Sequence, residues 1–428
     1  MASRRFRRAQ RGSMTAQFLV VLVPVFFGML GFAIDLGQLY LIRGELKTAA
    51  NAMAMASAAK LIGTAESTND AIVAAQLSVS PQNGGAANKY NFGSITIGET
   101  SGFLTSAIAD PGFYATTVDA IGESATASGA TVTGSTAKDV RITILADAPL
   151  TFWSFLSLGQ AKKTSVGAKA VAGMSAPLCT ACGTVLPYAI QAVDATDATD
   201  FGLIPATRYT FGFMCTGTPP GLLGGTTARL NYLILNRYDT NATLYPDESS
   251  QLYRIGAGGL PPNIAGPTLA CLQVNAAELI WANAAPMACT ANTVPSDVSN
   301  LLCGLTARFD PTTIPTACSN VVQADVIASA FSADTDLTDL DDYTAYVGNQ
   351  RRILTVAVVD TLDPVNPMNV LGFRQFLLEP NQNTTNVDPT DLNARFVALY
   401  IGSVVPVQQG SFSGCTQTAG PGKVVLHQ

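Results

Sequence analysis

Residues 14–34 read MTAQFLVVLVPVFFGMLGFAI, a stretch without a single charge. As an α-helix it is about 31 Å long, the thickness of a bilayer's hydrocarbon core. Arg4, Arg5, Arg7, Arg8 and Arg11 lie immediately before it. The positive-inside rule therefore places the N-terminus in the cytoplasm and residues 35–428 outside. A cleaved secretory signal would have a shorter apolar core, followed by a small-x-small site. This segment runs instead into Asp35-Leu36-Gly37-Gln38. A buried core helix fits less well, because no other part of the chain is so apolar for so long. A basic tip before an acidic body could be a nucleic-acid arm. The span that follows directs the arginines to a lipid bilayer instead, and no nucleic-acid partner is expected.

The helix is expected to continue past the span. Residues 35–62 read DLGQLYLIRGELKTAANAMAMASAAKLI, without proline. Leu39, Ile42, Leu46, Ala49, Met53 and Ala56 recur at alternating steps of three and four, one stripe of a helix. Gly63 is the expected stop. The stripe packs either on the protein's own sheet or on another helix, and the former is favoured. Pro24 removes one backbone hydrogen bond and is expected to kink the lipid half. Gly28 and Gly31 lie three apart, and Gln17 is a polar group within the apolar span. These three residues are the expected helix-contact set, because small residues let helices approach closely in lipid.

Composition constrains the remainder. Of 428 residues, 48% are hydrophobic and only 13% charged, with 37 Gly and 23 Pro, which suits short strands and many turns. The one histidine is His427, so triads, Cys-His pairs and zinc helices built around a central imidazole are excluded. Strands are expected near 94–97, 114–120, 130–133, 140–145, 164–171, 185–191, 209–215, 230–235, 353–360, 369–378 and 395–405. A helical patch is expected near 70–77 and a turn at Asn83-Gly84-Gly85. All eight cysteines (Cys179, Cys182, Cys215, Cys271, Cys289, Cys303, Cys318, Cys415) lie beyond the span. An even number outside the cytoplasm reads as a disulfide set whose connectivity spacing does not give. Cys179-Thr-Ala-Cys182 lacks the second pair that zinc needs and the histidine that a c-type haem needs. A thioredoxin-like redox pair remains the alternative there.

Several motifs resemble sites without matching them. Asp194, Asp197 and Asp200 form a three-residue repeat. Asp334, Asp336 and Asp339 belong to a denser acidic run, the nearest approach to a Ca²⁺ cluster. Neither run has the EF-hand pattern, so both read as solvated loops. Residues 254–259 lack the third spaced glycine of a dinucleotide loop, and no phosphate loop is present. Gly410-Ser411-Phe412-Ser413-Gly414 has Phe412 where a nucleophile would stand. Asn241 and Asn383 head glycosylation-type triplets to which no role is assigned. No catalytic residue, metal or cofactor is expected.

Arg11-Gly12-Ser13 before the span, Asp35-Leu36-Gly37 after it, then Tyr40, Arg43, Leu46 and Ala49-Ala50-Asn51-Ala52 resemble the N-terminal segment of TadE/TadG-type proteins of bacterial Flp (tight adherence) pilus assembly. Residues 140–173, with Phe152-Trp153-Ser154-Phe155 as an aromatic turn between strands, look similar to a second block of that family. So do residues 351–360 and 370–376, whereas the middle of the chain, about 180–345, has no counterpart. The resemblance implies a membrane-anchored pilus-assembly component whose partners are other membrane proteins of that machinery. Long members carry a von Willebrand A metal site opening D-x-S-x-S. That string is absent here, and Asp297-Val298-Ser299-Asn300-Leu301 is the nearest miss. Pseudopilin-like members carry Glu five residues after a processing glycine. Counted from Gly12 that position is Gln17, so cleavage between Gly12 and Ser13 is the alternative and an uncleaved anchor the expectation.

The expected fold class is α+β: a long transmembrane and amphipathic N-terminal helix packed on a β-rich, disulfide-containing extracytoplasmic body. Its parts are a basic tip (1–13), the span (14–34), the amphipathic helix (35–63), a β-rich domain (64–176), a Cys-containing loop-rich region (177–345) and closing strands (346–428). The expected location is the bacterial inner membrane. The expected role is structural rather than enzymatic, with an anchored binding or thiol-redox module as the alternative.

Overall fold

The computed structural model describes residues 10–79, 95–97, 107–122, 132–157, 162–182, 185–186, 188–235, 271–275, 277–279, 287–290, 296–310, 315–318, 333–338, 341–407 and 410–427. The expected turn at residues 83–85 lies outside them, as does Asp339.

Helix α1 runs from Gln10 to Ala58, straight through Pro24. At 49 residues it is about 73 Å long. Gly12 and Ser13 lie in its first turns. Its first half is bare: Phe18, Val20, Val21, Phe26, Phe27, Met29, Leu30 and Phe32 are all exposed. Soluble monomers rarely expose an apolar surface so large and continuous. Among the described residues this is the one helix long and apolar enough to cross a membrane.

The second half lies on a sheet. Ile42, Leu46, Ala50, Met53, Ala54 and Ala58 are buried. The alternating three-four stripe has a period of 3.5, whereas a straight helix turns every 3.6 residues. The buried line therefore drifts from Ala49 to Ala50 and from Ala56 to Ser57 and Ala58. Beyond Ala58 the chain turns over Leu61 and Ile62, so the helix closes five residues before Gly63, the expected stop. Gly63 stands at the corner with φ +86°, and a Cβ there would also meet Ser403. Helix α2 (Ser67–Ser78) lies along α1, and the Ser57 hydroxyl donates to the Ala71 carbonyl at 2.9 Å.

The sheet under α1 contains β1 (Ile95–Ile97), β2 (Ala107–Tyr114), β3 (Asp139–Pro149) and β4 (Lys163–Met174), with β16 (Val424–His427) on the far edge. Only the β1–β2 pair is parallel. Val140, Ile142, Ile144, Ala146 and Ala148 share one face of β3, and Ala168, Ala170 and Ala172 one face of β4, as the two-residue period requires. Their small side chains let α1 approach closely. The expected strand at 114–120 is corrected: β2 ends at Tyr114, and helix α3 (Thr117–Ile121) follows. Thr116 caps it by accepting the Asp119 N–H at 3.2 Å. The described part of 130–133 is not a strand.

A one-turn helix, α4 (Thr151–Leu156), joins β3 to β4. From Ser175 the chain leaves for a second unit, and it returns at Lys423. Ser175 and Lys423 hold these two passages together through Ser175 N–H to Lys423 O (2.8 Å) and Lys423 N–H to Ser175 Oγ (2.9 Å).

The second unit is a closed barrel of six strands. Around it run β14 (Met368–Leu378), β13 (Ile353–Val359), β6 (Tyr188–Gln191), β9 (Ala228–Ile234), β7 (Thr207–Phe213) and β15 (Phe396–Tyr400), which pairs back to β14. β11 (Ala277–Leu279) adds to β14. Closure removes the free edges that an open sheet would expose. The loop-rich region and the closing strands thus contribute to one core. Aromatic rings fill it: Phe211 stacks on Phe396 with centroids 4.7 Å apart, and Phe376, Tyr188 and Tyr232 meet them at edges and tilts. Helix α5 (Ser296–Thr306), which contains the Asp297–Ser299 near-miss, adds Val298, Leu301, Leu302 and Leu305 to this core.

Among the described residues the disulfides lie in the barrel unit and its returning loop: Cys179–Cys415, Cys215–Cys289 and Cys303–Cys318. No described cysteine is free. The redox reading of the C-x-x-C is corrected by this connectivity, since Cys179 is joined to Cys415 and not to Cys182. Two small ladders accompany the bridges: β8 (Cys215–Thr216) with β12 (Met287–Ala288), and β5 (Thr180–Cys182) with β10 (Cys271–Gln273). Cys182 stands directly opposite Cys271 in the second ladder.

Non-reducing peptide mapping is expected to recover a Cys182–Cys271 link beside the three bridges above. Alkylation of all eight cysteines without reductant would contradict it. Each native bridge typically contributes about 2–5 kcal/mol. Reduction should therefore raise hydrogen exchange in the barrel strands before it affects α1, β3 or β4.

A pH dependence follows from Asp139, buried at the start of β3. Its carboxylate accepts the Thr117 hydroxyl at 3.0 Å, and His427 Nε2 lies 3.8 Å away. Burial pushes its pKa up more than Thr117 and His427 pull it down. The folded state thus holds this proton to higher pH than the unfolded chain does, so stability falls as pH rises from the ordinary carboxylate range through the raised value. Aspartates held low, such as Asp336, contribute the opposite slope, so the measurement is the difference between the parent chain and Asp139→Asn: in denaturant titrations across the acidic range the parent should lose stability relative to the variant as pH rises.

Candidate functional site: the clasp between helices α1 and α4

The apolar half of α1 ends where α4 meets it. α4 is a single turn with no cap of its own: Leu150 occupies the N-cap position, and its side chain accepts nothing. The first N–H groups of any helix lack intrahelical partners. Asp35 supplies them from more than a hundred residues away. Its Oδ1 accepts the Phe152 N–H at 3.0 Å and its Oδ2 the Trp153 N–H at 3.1 Å. One turn further along α1, Gln38 Oε1 accepts the Thr151 hydroxyl at 3.2 Å. Asp35 is buried, and a carboxylate leaves water only when its lone pairs are used in this way. Charge-assisted bonds of this kind are roughly twice as strong as neutral ones.

Packing completes the clasp. The Phe152 ring lies flat against Gly31, where any Cβ would overlap it. The expectation that Gly31 faces a neighbouring helix is corrected on this point: α4 of the same chain occupies that surface. Gly28, one turn earlier, has open space around it, and Gln17 is exposed. Between α1 and α4 lies a groove of about 430 Å³, lined mainly by Gly28, Phe32, Leu36, Leu150, Trp153 and Leu156.

Sequence reasoning passed over Asp35 except as a marker of where the span ends. It read residues 152–155 as a turn, where the structure has a helix. The available signal was a lone acid directly after an apolar span, together with an aromatic cluster flanked by strands.

The expectation of a solvated loop is corrected for the second acidic run: Asp334 and Asp336 are buried, and their carboxylates are used by the protein's own hydroxyl and N–H groups. Asp334 accepts the Tyr346 hydroxyl at 2.7 Å and the N–H groups of Arg352 (2.9 Å) and Asp336 (3.0 Å). Asp336 accepts from Thr338 and from the Val347 N–H. Burial raises its pKa, but these bonds outweigh that and leave it below the usual carboxylate range. The described residues include no group of three or more metal-ligating side chains. Asp194 and Asp197 bind amides and a hydroxyl of their own loop. A second cavity of about 480 Å³ lies between the helix–sheet unit and the barrel. Its polar groups are engaged with one another: Tyr400 donates to Asp200 at 2.5 Å, and Arg374 donates to the carbonyls of Phe373, Ala419, Ala198 and Thr199 while lying over the Phe201 ring. Those bonds all lie within the barrel unit and its returning loop.

Comparison with protein-family models, curated proteins and solved structures returns no match.

Asp35→Ala is expected to free the α4 amides. Hydrogen bonds to a charged group contribute about 1.5–3 kcal/mol, so exchange at residues 151–156 should rise at least about tenfold. Asp35→Asn, which keeps one acceptor oxygen, should fall between the two.

Proposed function

We propose that this chain is a membrane-anchored structural or assembly component of a bacterial Flp/Tad pilus system. In this reading α1 crosses the inner membrane with its N-terminus in the cytoplasm, and the sheet and barrel lie outside. One observation carries the proposal. The two segments that most resemble TadE/TadG-type proteins, residues 10–62 and 140–173, are α1 and the β3–α4–β4 unit, and they meet at the clasp. The blocks at 351–360 and 370–376 fall on barrel strands β13 and β14. The five arginines before the span support the orientation. The bridges support an oxidising compartment for the body. The reading assigns the chain no catalytic role. The thiol-redox alternative needs a reactive Cys179–Cys182 pair, and the bridge from Cys179 to Cys415 argues against it.

Assembly would proceed through membrane-embedded surface on α1. With Gly31 covered and Gly28 lining the α1–α4 groove, Gln17 is the residue of that set left to face neighbouring helices. Mass spectrometry of the mature N-terminus is expected to find the arginines retained, and a chain beginning at Ser13 would make this a processed pseudopilin. Protease added to spheroplasts should reach the body, and protection of residues 35–428 would overturn the orientation. Gln17→Leu should preserve membrane insertion and reduce crosslinks to pilus-assembly membrane proteins. Unchanged crosslinks would remove the assembly role from this helix.

A further inference from the structure

We infer that α4 is a second membrane contact, in which Trp153 and Leu156 seat in the headgroup–acyl boundary of the bilayer that α1 crosses and lipid fills the groove between the two helices. The inference rests on the anchoring part of the function proposed above and on nothing about pili. Asp35 and Gly31 hold α4 level with the last turn of the uncharged segment. At that depth Trp153 is 55% exposed and Leu156 56% exposed. The groove beside them is continuous with exposed Phe32 of the uncharged segment and with exposed Leu36 one turn beyond it. An occupant of that groove must therefore match the environment of the span itself, which is acyl chain. Tryptophan suits the boundary because its ring is apolar and its N–H is polar.

Charge supports the same occupant. Lys162 and Lys163 are exposed at the base of α4. Lys162 is fixed there by its backbone, whose N–H donates to Ser154 Oγ and whose carbonyl accepts from Leu150 N–H, both at 2.9 Å. Two cations beside an apolar edge match a lipid phosphate above its acyl chain, and lysine stems reach along apolar surface while the ammonium stays among headgroups.

The test uses the full chain carrying Trp281→Phe, so that Trp153 is the one tryptophan, in nanodiscs of phosphatidylethanolamine and phosphatidylglycerol. Trp153 emission should be blue-shifted relative to the urea-unfolded chain. Lipids brominated near the glycerol end should quench it by about twofold or more, and deep bromines less, as expected for an interfacial ring. Lys162→Glu with Lys163→Glu should weaken that quenching while the chain still co-purifies with the disc. Water-like emission quenched by acrylamide would overturn the proposal. So would blue-shifted emission that no brominated lipid quenches, which would place Trp153 inside protein. A chain that does not co-purify with discs at all overturns the anchor itself, and this contact with it.

Discussion

One helix presents two kinds of surface, and the rest of the molecule is arranged around the change from one to the other. Over its first half α1 exposes apolar side chains and is long and apolar enough to cross a membrane. Over its second half it must present them on one side only, because the sheet lies there. The change of environment falls at Asp35, the first charge after the uncharged segment. Left in water that carboxylate would contribute little to the fold. Buried against α4, it satisfies two backbone N–H groups and ties the sheet to the helix at the level where the environments change.

The clasp matters because a helix held only by its distal half would leave the junction free to bend. Ile42 to Ala58 fix α1 on β3 and β4. Asp35, Gln38 and Gly31 extend that attachment by about three further turns toward the apolar half. The orientation of the body relative to the span thus depends on side chains as well as on helix continuity. The barrel is attached separately. Its links to the helix–sheet unit run through the corner after α1, where Tyr343 donates to the Ile62 carbonyl at 2.8 Å and Ala65 N–H to Thr344 O at 2.7 Å.

Much of the helix–sheet unit was legible in the sequence because its signals are local. A run of uncharged residues, an i, i+3, i+4 stripe and alternating β3 residues each report one element and the face it buries. The buried line of α1 departed from the stripe because a 3.5-residue reading does not follow a 3.6-residue helix. What was not legible depends on distant pairs. Nothing near Asp35 indicates Phe152, nothing near Cys179 indicates Cys415, and barrel closure rests on β14 meeting β15 as well as β13. The short helix at Thr117 was hidden because Thr116-Thr117-Val118 has the composition of a strand, and the capping hydroxyl of Thr116 decides otherwise.

The strand at Val424–His427 lies beside β4, so the chain crosses between the two units twice, at Ser175 and at Lys423, with both passages bonded to each other. A single-chain tether swivels freely about its bonds, whereas two adjacent tethers resist torsion. Torque applied to the barrel from outside would therefore be carried into the sheet, and from there through Asp35 and the buried face of α1 to the span. The protein is built less like a bead on a string than like a key whose shank is α1.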